Sequence, residues 1–369
     1  MNLLEHYQQY PDTFLINKHP DHDLYLIKYM HAGIDWSIKG ALDARGLILD
    51  GDGNVIARPY RKFFNLDQLN DYDINGVATR RNLPEEILEL DQWENGPYVT
   101  TEKVDGSLII VFVYRDEIMF ASSGSFTSEH AKKAKALFYI QFNTYQISEM
   151  KNIMNDCTML FELVSPNFQI VIHYAVEKLI LHGIINTKTS ANSLTETLEF
   201  ADGLDIERIK VYDYTKDYLL KIKAENTEIE GFVLRFESGK FLKIKTDDYF
   251  EKSYSNEFYI SDMFTKAKLI TIVNAVIDDT FDDLMLGAEG RTNAKLQLGQ
   301  VYKFVIDARH ELQVHKDFWE DGAYPEPKEI AINPKYKDVK HLIFLAKSPE
   351  ARWTKFILNK TLSKFVRTK

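Results

Sequence analysis

Residues 100–112 read TTEKVDGSLIIVF, in which a lysine and an aspartate two positions apart precede a glycine and a long apolar run. The run is typical of a buried β-strand, and an Asp-Gly pair is typical of a turn. The ammonium of Lys103 is strongly hydrated, so a place at the mouth of an apolar strand needs a reason. Lys103 is therefore the first candidate for a functional side chain.

Length and composition limit the kind of protein this is. A chain of 369 residues predicts two domains, and 45% apolar residues is ordinary for a soluble globular protein. No apolar run is long enough to span a membrane, and MNLLEHYQQYPDTF at the start lacks the pattern of a signal peptide, so we expect a cytoplasmic location. The single cysteine, Cys157, excludes an intramolecular disulfide, and we interpret it as a small buried apolar residue.

Charge is unevenly distributed. The net charge of -10 argues against a protein that coats nucleic acid by bulk electrostatics. Residues 335–369, however, hold ten Lys and Arg against two Asp and Glu, a net charge of +8, and aromatic residues are interleaved with them. Two interpretations are open: the segment contacts a phosphate backbone, or it is the solvated face of an amphipathic helix.

The pattern of apolar residues changes near residue 250. Before that point GLILDGDGNVIARPY, SLIIVFVYRDEIMFASS and GFVLRFESGKFLKIKT each predict a β-hairpin, CTMLFELVSP and IVIHYAVEKLILHGII predict further strands, and SEHAKKAKALFYIQF predicts a helix. Beyond it apolar residues recur every three or four positions. We therefore expect an α+β fold, with a domain of antiparallel sheets and flanking helices over residues 1–250 and an all-α domain over residues 251–369.

A lysine amine attacks phosphorus only when deprotonated, which its ordinary pKa of about 10.4 makes rare at neutral pH. Nearby cations or a metal ion lower that pKa, so a nucleophilic lysine should have positive neighbours. A nucleoside triphosphate arrives with Mg²⁺, which prefers oxygen ligands, so carboxylates should also be present. The candidates at strand ends that meet these needs are Arg45, Lys62, Glu162, Glu230, Lys243 and Lys245.

Lys243 and Lys245 lie two positions apart on a predicted strand, so their side chains share one face. Two like charges on one face are costly unless an anion lies beside them. The alternative is that the pair only protects the edge of a sheet.

In this order the motifs resemble those of the covalent nucleotidyltransferases, which include polynucleotide ligases and mRNA capping enzymes. The series is Lys-x-Asp-Gly, Phe-Glu, Glu-Gly-Phe-Val and Lys-x-Lys. ALDARGLILD, RPYRKFFNL, SSGSFTSEHA and FLKIKTDDY resemble more closely still the RNA ligase 1 type of T-even phages, over about residues 40–250, and VIDDTFDDLM resembles part of its helical domain. DNA ligases and capping enzymes carry an OB domain after Lys-x-Lys, which the helical pattern here disfavours.

The resemblance implies an ATP-dependent RNA ligase with an ATP-grasp-like nucleotidyltransferase domain over residues 1–250 and a helical RNA-recognition domain over residues 251–369. Lys103 would take the adenylyl group of ATP, pass it to an RNA 5′-phosphate, and a 3′-hydroxyl would then displace AMP. It also implies Mg²⁺ or Mn²⁺, a cleaved tRNA anticodon loop as substrate, a monomer, and a phage-encoded enzyme of the host cytoplasm. A scaffold that kept the fold and lost the chemistry is the alternative, but it should have lost part of the motif set.

The resemblance also implies a role for each matched residue. Lys103, Lys243 and Lys245 would be catalytic. The nucleotide would be bound by these three and by Arg45, Lys62, Glu102, Asp105, Gly106, Glu162 and Glu230. Metal contacts would come from Glu162, Glu230, Tyr249 and Asp282. One departure stands out: Ser123 occupies a position at which this family usually has Lys or Arg, and Lys132 or Lys133 on the following helix is a candidate substitute.

Overall fold

The computed structural model describes residues 1–11, 13–29, 35–69, 87, 89–90, 93, 96–168, 172–225, 229–249, 266–277, 292–348 and 350–365. The chain divides into two compact units, Met1–Ser255 and Asn256–Lys369.

Thirteen strands are described in the first unit. In chain order they are β1 Phe14–Lys18, β2 Leu24–Tyr29, β3 Arg45–Asp50, β4 Val55–Ala57, β5 Phe64–Asn65, β6 Tyr98–Lys103, β7 Ser107–Tyr114, β8 Glu117–Ser122, β9 Cys157–Val164, β10 Lys178–Asn186, β11 Val211–Tyr212, β12 Gly231–Phe236 and β13 Phe241–Lys245. The α-helices among the described residues of this unit are α1 Leu3–Gln8, α2 Glu129–Gln141, α3 Thr144–Met154, α4 Leu194–Gly203 and α5 Lys216–Ala224.

The strands form three sheets with the orders β1-β2-β3-β4, β10-β9-β7-β8 and β11-β6-β12-β13-β5. Neighbouring strands are antiparallel except β13 and β5, which are parallel. The unit is thus a mixed α/β structure built on antiparallel sheets, as the sequence predicts. Each of the three predicted hairpins is present, as β3–β4, β7–β8 and β12–β13.

The core forms layers because side chains alternate along each strand. One face of the β10-β9-β7-β8 sheet, with Phe161, packs against Phe138 of α2 and Met150 of α3. The opposite face, with Ile110 and Leu160, packs in an inner core with one face of the five-stranded sheet and with the β1-β2-β3-β4 sheet. The inner core therefore lies between sheets, and the candidate site adjoins it.

The helix predicted from SEHAKKAKALFYIQF is present as α2. Ser128 caps it by accepting a hydrogen bond from the Ala131 backbone N–H, which otherwise has no partner in the first helical turn. Ala131, Ala134 and Phe138 on its apolar side are buried.

The described elements of the second unit are helical: α6 Lys266–Ile277, α7 Thr292–Glu320, α8 Pro327–Ile332, α9 Lys340–Ala346 and α10 Glu350–Phe365, with a single 3₁₀ turn at Pro334–Tyr336. Trp353 of α10 is buried and donates its indole N–H to the carbonyl of Leu345. This tryptophan belongs to the core of the unit and is not a platform for nucleic-acid bases. No helix among the described residues is long and apolar enough to cross a membrane.

Candidate active site

The predicted lysines share one face of the five-stranded sheet. Alternation along β6 and β13 puts Lys103, Lys243 and Lys245 on the side of Val233 and Phe241, both of which pack in the inner core. β13 is flanked by β12 and β5, so it is not an edge strand. This placement argues against the alternative that Lys243 and Lys245 only protect the edge of a sheet.

Gly231 is the centre of a row that joins three strands. It lies opposite Lys103 of β6 and opposite Lys245 of β13. Its φ of +147° is one that side-chain-bearing residues rarely adopt, and a Cβ there would lie 1.9 Å from the carbonyl oxygen of Ile244. Only glycine fits this point in the sheet.

Glu230 joins the two lysines of this row. Its Oε1 lies 2.6 Å from Lys103 Nζ and 3.0 Å from Lys245 Nζ. The side chain of Glu230 is 3% exposed and that of Lys245 is 1% exposed, whereas that of Lys103 is 22% exposed. The cluster therefore has two members fixed in the interior, and the third, Lys103, reaches solvent and any bound substrate.

Hydrogen bonds fix the turn after Lys103. The carboxylate of Asp105 is buried and accepts bonds from the Ile172 N–H at 2.7 Å and the Tyr249 hydroxyl at 2.9 Å. The Asp105 N–H in turn donates to the Tyr174 hydroxyl, and burial together with nearby carboxylates raises the pKa of Tyr174. Asp105 thus holds the turn in place, and Tyr249 acts in it as a hydrogen-bond donor.

Gly106 brings the same turn against β9. A Cβ at Gly106 would lie 2.6 Å from the Leu163 carbonyl oxygen and 2.9 Å from Glu162 Cγ. Glycine thus permits the close approach that places Glu162 beside the lysine-bearing turn. Glu162 shares its strand face with Leu160, so its side chain is on the inner side of the sheet.

His182 is a neighbour of Glu162 that the sequence reasoning did not identify. It lies on β10, with its Nε2 3.4 Å from Glu162 Oε2, and its ring stacks on Tyr60 at 5.4 Å. Burial lowers the pKa of His182; Glu162 opposes this shift, and the charges of Arg235 and Arg45 act in the same direction as burial. The imidazole is therefore held neutral near pH 7.

Two of the predicted phosphate-binding residues converge on Phe63. The Arg45 guanidinium lies 5.1 Å and Lys243 Nζ 5.9 Å from the centre of this ring. Lys62 Nζ lies instead over the rings of Tyr29 and Phe64, at 5.4 Å and 5.6 Å. Phe63 and Phe64 are therefore both in contact with cations, Phe63 with Arg45 and Lys243 and Phe64 with Lys62.

A cavity of about 460 Å³ opens beside Lys62 and Phe63. The cations Arg58, Arg61, Lys62 and Lys240 are part of its lining. Lys103, Glu230 and Lys245 are not part of this lining, so the cavity does not contain the cluster that these three residues form.

Some of the predicted site residues do not lie in this cluster. Glu102 precedes Lys103 on β6, so its side chain is on the opposite face, 3.9 Å from Lys210 Nζ. Asp282 lies outside the described residues. Within the described ranges no group of three or more His, Cys, Asp or Glu has the arrangement to hold a metal ion.

Comparison with known proteins identifies the family. A family model described as RNA ligase matches residues 43–259. A candidate RNA ligase of Thermovibrio ammonificans is 27% identical over 211 residues, covering 55% of this chain and 50% of that protein. A candidate bifunctional polynucleotide kinase/RNA ligase of Autographa californica nuclear polyhedrosis virus is 27% identical over 252 residues, covering 63% of this chain and 34% of that protein.

Among solved structures, an archaeal ATP-dependent RNA ligase aligns with a TM-score of 0.48 and 12% identity, covering 80% of this chain and 77% of that one. The chain spans about half the length of the Thermovibrio relative and about a third of the viral one. The family match covers more than half of the chain and includes Arg45, Lys103, Glu162, Glu230 and Lys245. The chain therefore belongs to the RNA ligase family, of the phage T4 RNA ligase 1 type.

Proposed function

We propose that this protein is an ATP-dependent RNA ligase that joins RNA 5′-phosphate and 3′-hydroxyl ends. In the first step the Lys103 amine forms a bond to the α-phosphorus of ATP, and the bond to pyrophosphate breaks. In the second step an RNA 5′-phosphate oxygen takes the adenylyl group from Lys103. In the third step the 3′-hydroxyl attacks the activated 5′-phosphorus, and AMP leaves.

The observation that carries this proposal is the Lys103–Glu230–Lys245 cluster. A nucleophilic lysine needs a cationic neighbour and a group that can accept its proton. Here the ammonium groups of Lys103 and Lys245 both contact the same carboxylate oxygen of Glu230. Glu230 is a hydrogen-bonding acceptor at 2.6 Å from the Lys103 amine. Of the three residues in the cluster, Lys103 would move when a phosphate binds, because its side chain is more exposed than those of Glu230 and Lys245.

The cations of the inner face would stabilise the negative charge of the phosphate groups during the reaction. Phosphoryl transfer depends mainly on positioning and on neutralising the negative charge that builds on the phosphate oxygens. Lys243 and Arg45, which both lie within 6 Å of the centre of the Phe63 ring, would bind the triphosphate together with Lys62 and Lys245. Glu162, beside Gly106, would contact the nucleotide, and Asp105 would hold the turn that carries Lys103.

The donor chemistry fits a divalent cation that arrives with the nucleotide. Mg²⁺ and Mn²⁺ prefer carboxylate oxygens and keep several waters, so one or two carboxylates suffice. Glu162 and Glu230 are the residues that would hold such an ion, and it would neutralise phosphate charge. Tyr249 donates to Asp105, so in our proposal its part is to support that aspartate.

We further propose that residues 1–250 form the nucleotidyltransferase domain and that residues 251–369 form an all-α domain that recognises RNA. A break in a tRNA anticodon loop is the substrate we favour, with the enzyme acting as a cytoplasmic monomer. Loop ends offer unstacked bases and local phosphates, which a protein with an acidic net charge can bind through a local basic patch.

The deciding experiment is to incubate the protein with α-labelled ATP and Mg²⁺ and to separate it by denaturing electrophoresis. We expect a covalent label in the wild type and none in Lys103→Ala. The mutant should still seal RNA that already carries a 5′-adenylate, because the third step does not use the amine as nucleophile.

Lys39→Ala is a control, since Lys39 is an exposed lysine of the same unit that has no predicted role in the reaction. It should label as the wild type does. A wild type that stays unlabelled would favour a non-catalytic RNA-binding scaffold, and efficient labelling by GTP would point to a capping-type enzyme.

A further inference from the structure

His182 is a side chain of the inner face that the reaction outlined above does not use. It lies on β10 two positions after Ile180, which pairs with Glu162 of β9, so alternation puts His182 on the same face as Glu162. Its Nε2 is buried and forms no hydrogen bond within the described residues, although Glu162 Oε2 lies 3.4 Å away. A buried polar atom without a hydrogen bond is costly, so this arrangement needs an explanation.

A bulge in β10 fixes the backbone of His182. Leu181 and Gly183 pair with consecutive residues of β9, so His182 is the extra residue of its strand. Its carbonyl oxygen accepts hydrogen bonds from two side chains, the Tyr60 hydroxyl at 2.7 Å and the Arg235 guanidinium at 2.9 Å. Bulges are common beside functional sites, where they aim a side chain.

Tyr60 holds the ring of His182 as well as its backbone. The two rings stack with their centres 5.4 Å apart. A Cβ on Gly183 would lie 1.9 Å from the Tyr60 hydroxyl oxygen, so glycine leaves the room that this hydroxyl needs. Arg235, which is 9% exposed, donates to the same hydroxyl at 3.1 Å. The imidazole is thus fixed in one place, with its Nε2 beside Glu162.

The burial of Nε2 indicates which group can satisfy it. Because this atom has no contact with solvent, a ligand does not reach it directly, whereas the Glu162 side chain is 16% exposed. A neutral imidazole can carry its hydrogen on Nε2, and a neighbouring carboxylate favours that tautomer. A distance of 3.4 Å exceeds the roughly 3.2 Å limit of a good N–H···O bond. Hydrogen bonds of catalytic sites often tighten to such lengths only when the substrate is bound.

We propose that His182 is a positioning residue whose Nε2–H donates to Glu162 Oε2 and leaves the other carboxylate oxygen free to contact the nucleotide. The inference rests on the proposed ligase function, in which Glu162 contacts the nucleotide. Gly106 limits the carboxylate from the other side, since a Cβ there would lie 2.9 Å from Glu162 Cγ. A carboxylate that is already oriented loses less side-chain entropy when the ligand binds, so the effect of His182 should appear in nucleotide affinity.

The test is a double-mutant cycle between His182 and Glu162 in the full chain. The ligand is an ATP analogue with a methylene group between the α- and β-phosphorus atoms, which binds but cannot release pyrophosphate. His182→Phe keeps a ring that can stack on Tyr60 and removes the donor, and it should weaken binding about tenfold, as expected for a lost hydrogen bond to a charged group. In a Glu162→Ala background the same replacement should change the affinity less than about twofold, because no carboxylate is left to position.

His182→Gln is the rescue variant, because its amide nitrogen lies the same number of bonds from Cβ as the imidazole Nε2 and also donates. It should bind the analogue within about threefold of the wild type. His22→Phe is the matched control, since His22 also lies close to a glutamate, Glu117 at 3.9 Å, but is not part of the candidate site. It should bind as the wild type does. Thermal melting establishes that each variant is folded before its affinity is compared.

The tautomer of His182 is a second readout, and it does not depend on the ligase reaction. NMR spectra of the ring nitrogens, recorded near neutral pH with isotopically labelled histidine and assigned with His182→Gln, should place the hydrogen on Nε2. A neutral ring with its hydrogen on Nδ1 overturns the inference. Wild-type affinity in folded His182→Phe also overturns it, and so does an equal loss with and without the Glu162 side chain. If the cycle shows coupling but the wild type forms no lysyl-adenylate, the ligase proposal alone is refuted.

Discussion

Replacing Glu230 by glutamine tests whether the buried cluster is organised as its distances indicate. One oxygen of Glu230 lies within 3.0 Å of both Lys103 Nζ and Lys245 Nζ, and Lys245 is 1% exposed. Removing one partner of a buried ion pair costs about 3–5 kcal/mol, because the remaining charge cannot be hydrated. We expect the lower end, about 3 kcal/mol, since the glutamine oxygen still accepts a hydrogen bond and the Tyr249 ring lies 4.8 Å from Lys245 Nζ.

Native-state hydrogen exchange on residues 229–246 measures this loss in the unit that contains the cluster, independently of the second unit. A loss of 3 kcal/mol corresponds to exchange that is about a hundredfold faster in Glu230→Gln. Lys103→Ala is the matched control. It leaves the Glu230–Lys245 pair intact and removes a partly hydrated side chain, so it should change the exchange by less than about 1 kcal/mol.

The reasoning fails if the two substitutions accelerate exchange equally, or if Glu230→Gln leaves it within threefold of the wild type. Either result would mean that Lys245 is compensated by other groups and that Glu230 does not organise the cluster. The control also makes the labelling experiment interpretable, because a Lys103→Ala protein that keeps its fold can lose the adenylate only through its chemistry.

Four further outcomes are expected. Lys243→Ala should slow Lys103 adenylylation by about a hundredfold in single-turnover labelling, and near wild-type rates would mean that this lysine does not contact the triphosphate. Burial lowers the pKa of His182 in the folded state, so its contribution to stability is complete above the unfolded pKa of about 6.5 and is lost as pH falls. In urea titrations, the free energy of unfolding should therefore decline less from pH 7 to pH 5 in His182→Gln than in the wild type. Gly231→Ala should lower the thermal midpoint more than Gly239→Ala, since only the first added Cβ meets backbone; equal shifts would contradict the backbone geometry at Gly231. Converting the exposed Arg352 and Lys355 to glutamine should flatten the salt dependence of RNA binding by up to about two units of log-log slope, and an unchanged slope would leave α10 as a solvated helical face.

Local sequence patterns predicted much of this fold. The three hairpins follow from alternating apolar residues around glycine-containing turns, and the shared face of Lys243 and Lys245 follows from their spacing of two. The same rule separates Glu102 from Lys103, because adjacent residues of a strand point to opposite faces. Applied to TTEK, it would have removed Glu102 from the set expected around the nucleophile.

Contacts between segments that are distant in the chain could not be predicted from the sequence. The bond between Asp105 and Tyr249 joins residues 144 positions apart, and the approach of His182 to Glu162 depends on the pairing of β9 with β10. Trp353 looked like part of an aromatic, basic surface because helical periodicity does not say which face of a helix is covered by its neighbours. Pairing register and tertiary packing decide such contacts, and a single sequence does not encode them in any local pattern.

The distribution of charge explains how an acidic protein can bind polyanions. The net charge of -10 describes the whole chain, yet among the described residues the inner face of the first unit gathers six cations, namely Lys28, Arg45, Lys103, Arg235, Lys243 and Lys245. The nearby carboxylates neutralise only part of this positive charge, since Glu230 is shared by two lysines and Asp105 accepts hydrogen bonds from a hydroxyl and a backbone N–H. Between sheets the effective dielectric is low and salt screens little, so a local excess of cations attracts a phosphate more strongly than the same charges do on the surface. Binding of the nucleotide should therefore be less sensitive to ionic strength than binding of RNA along any exposed basic helix.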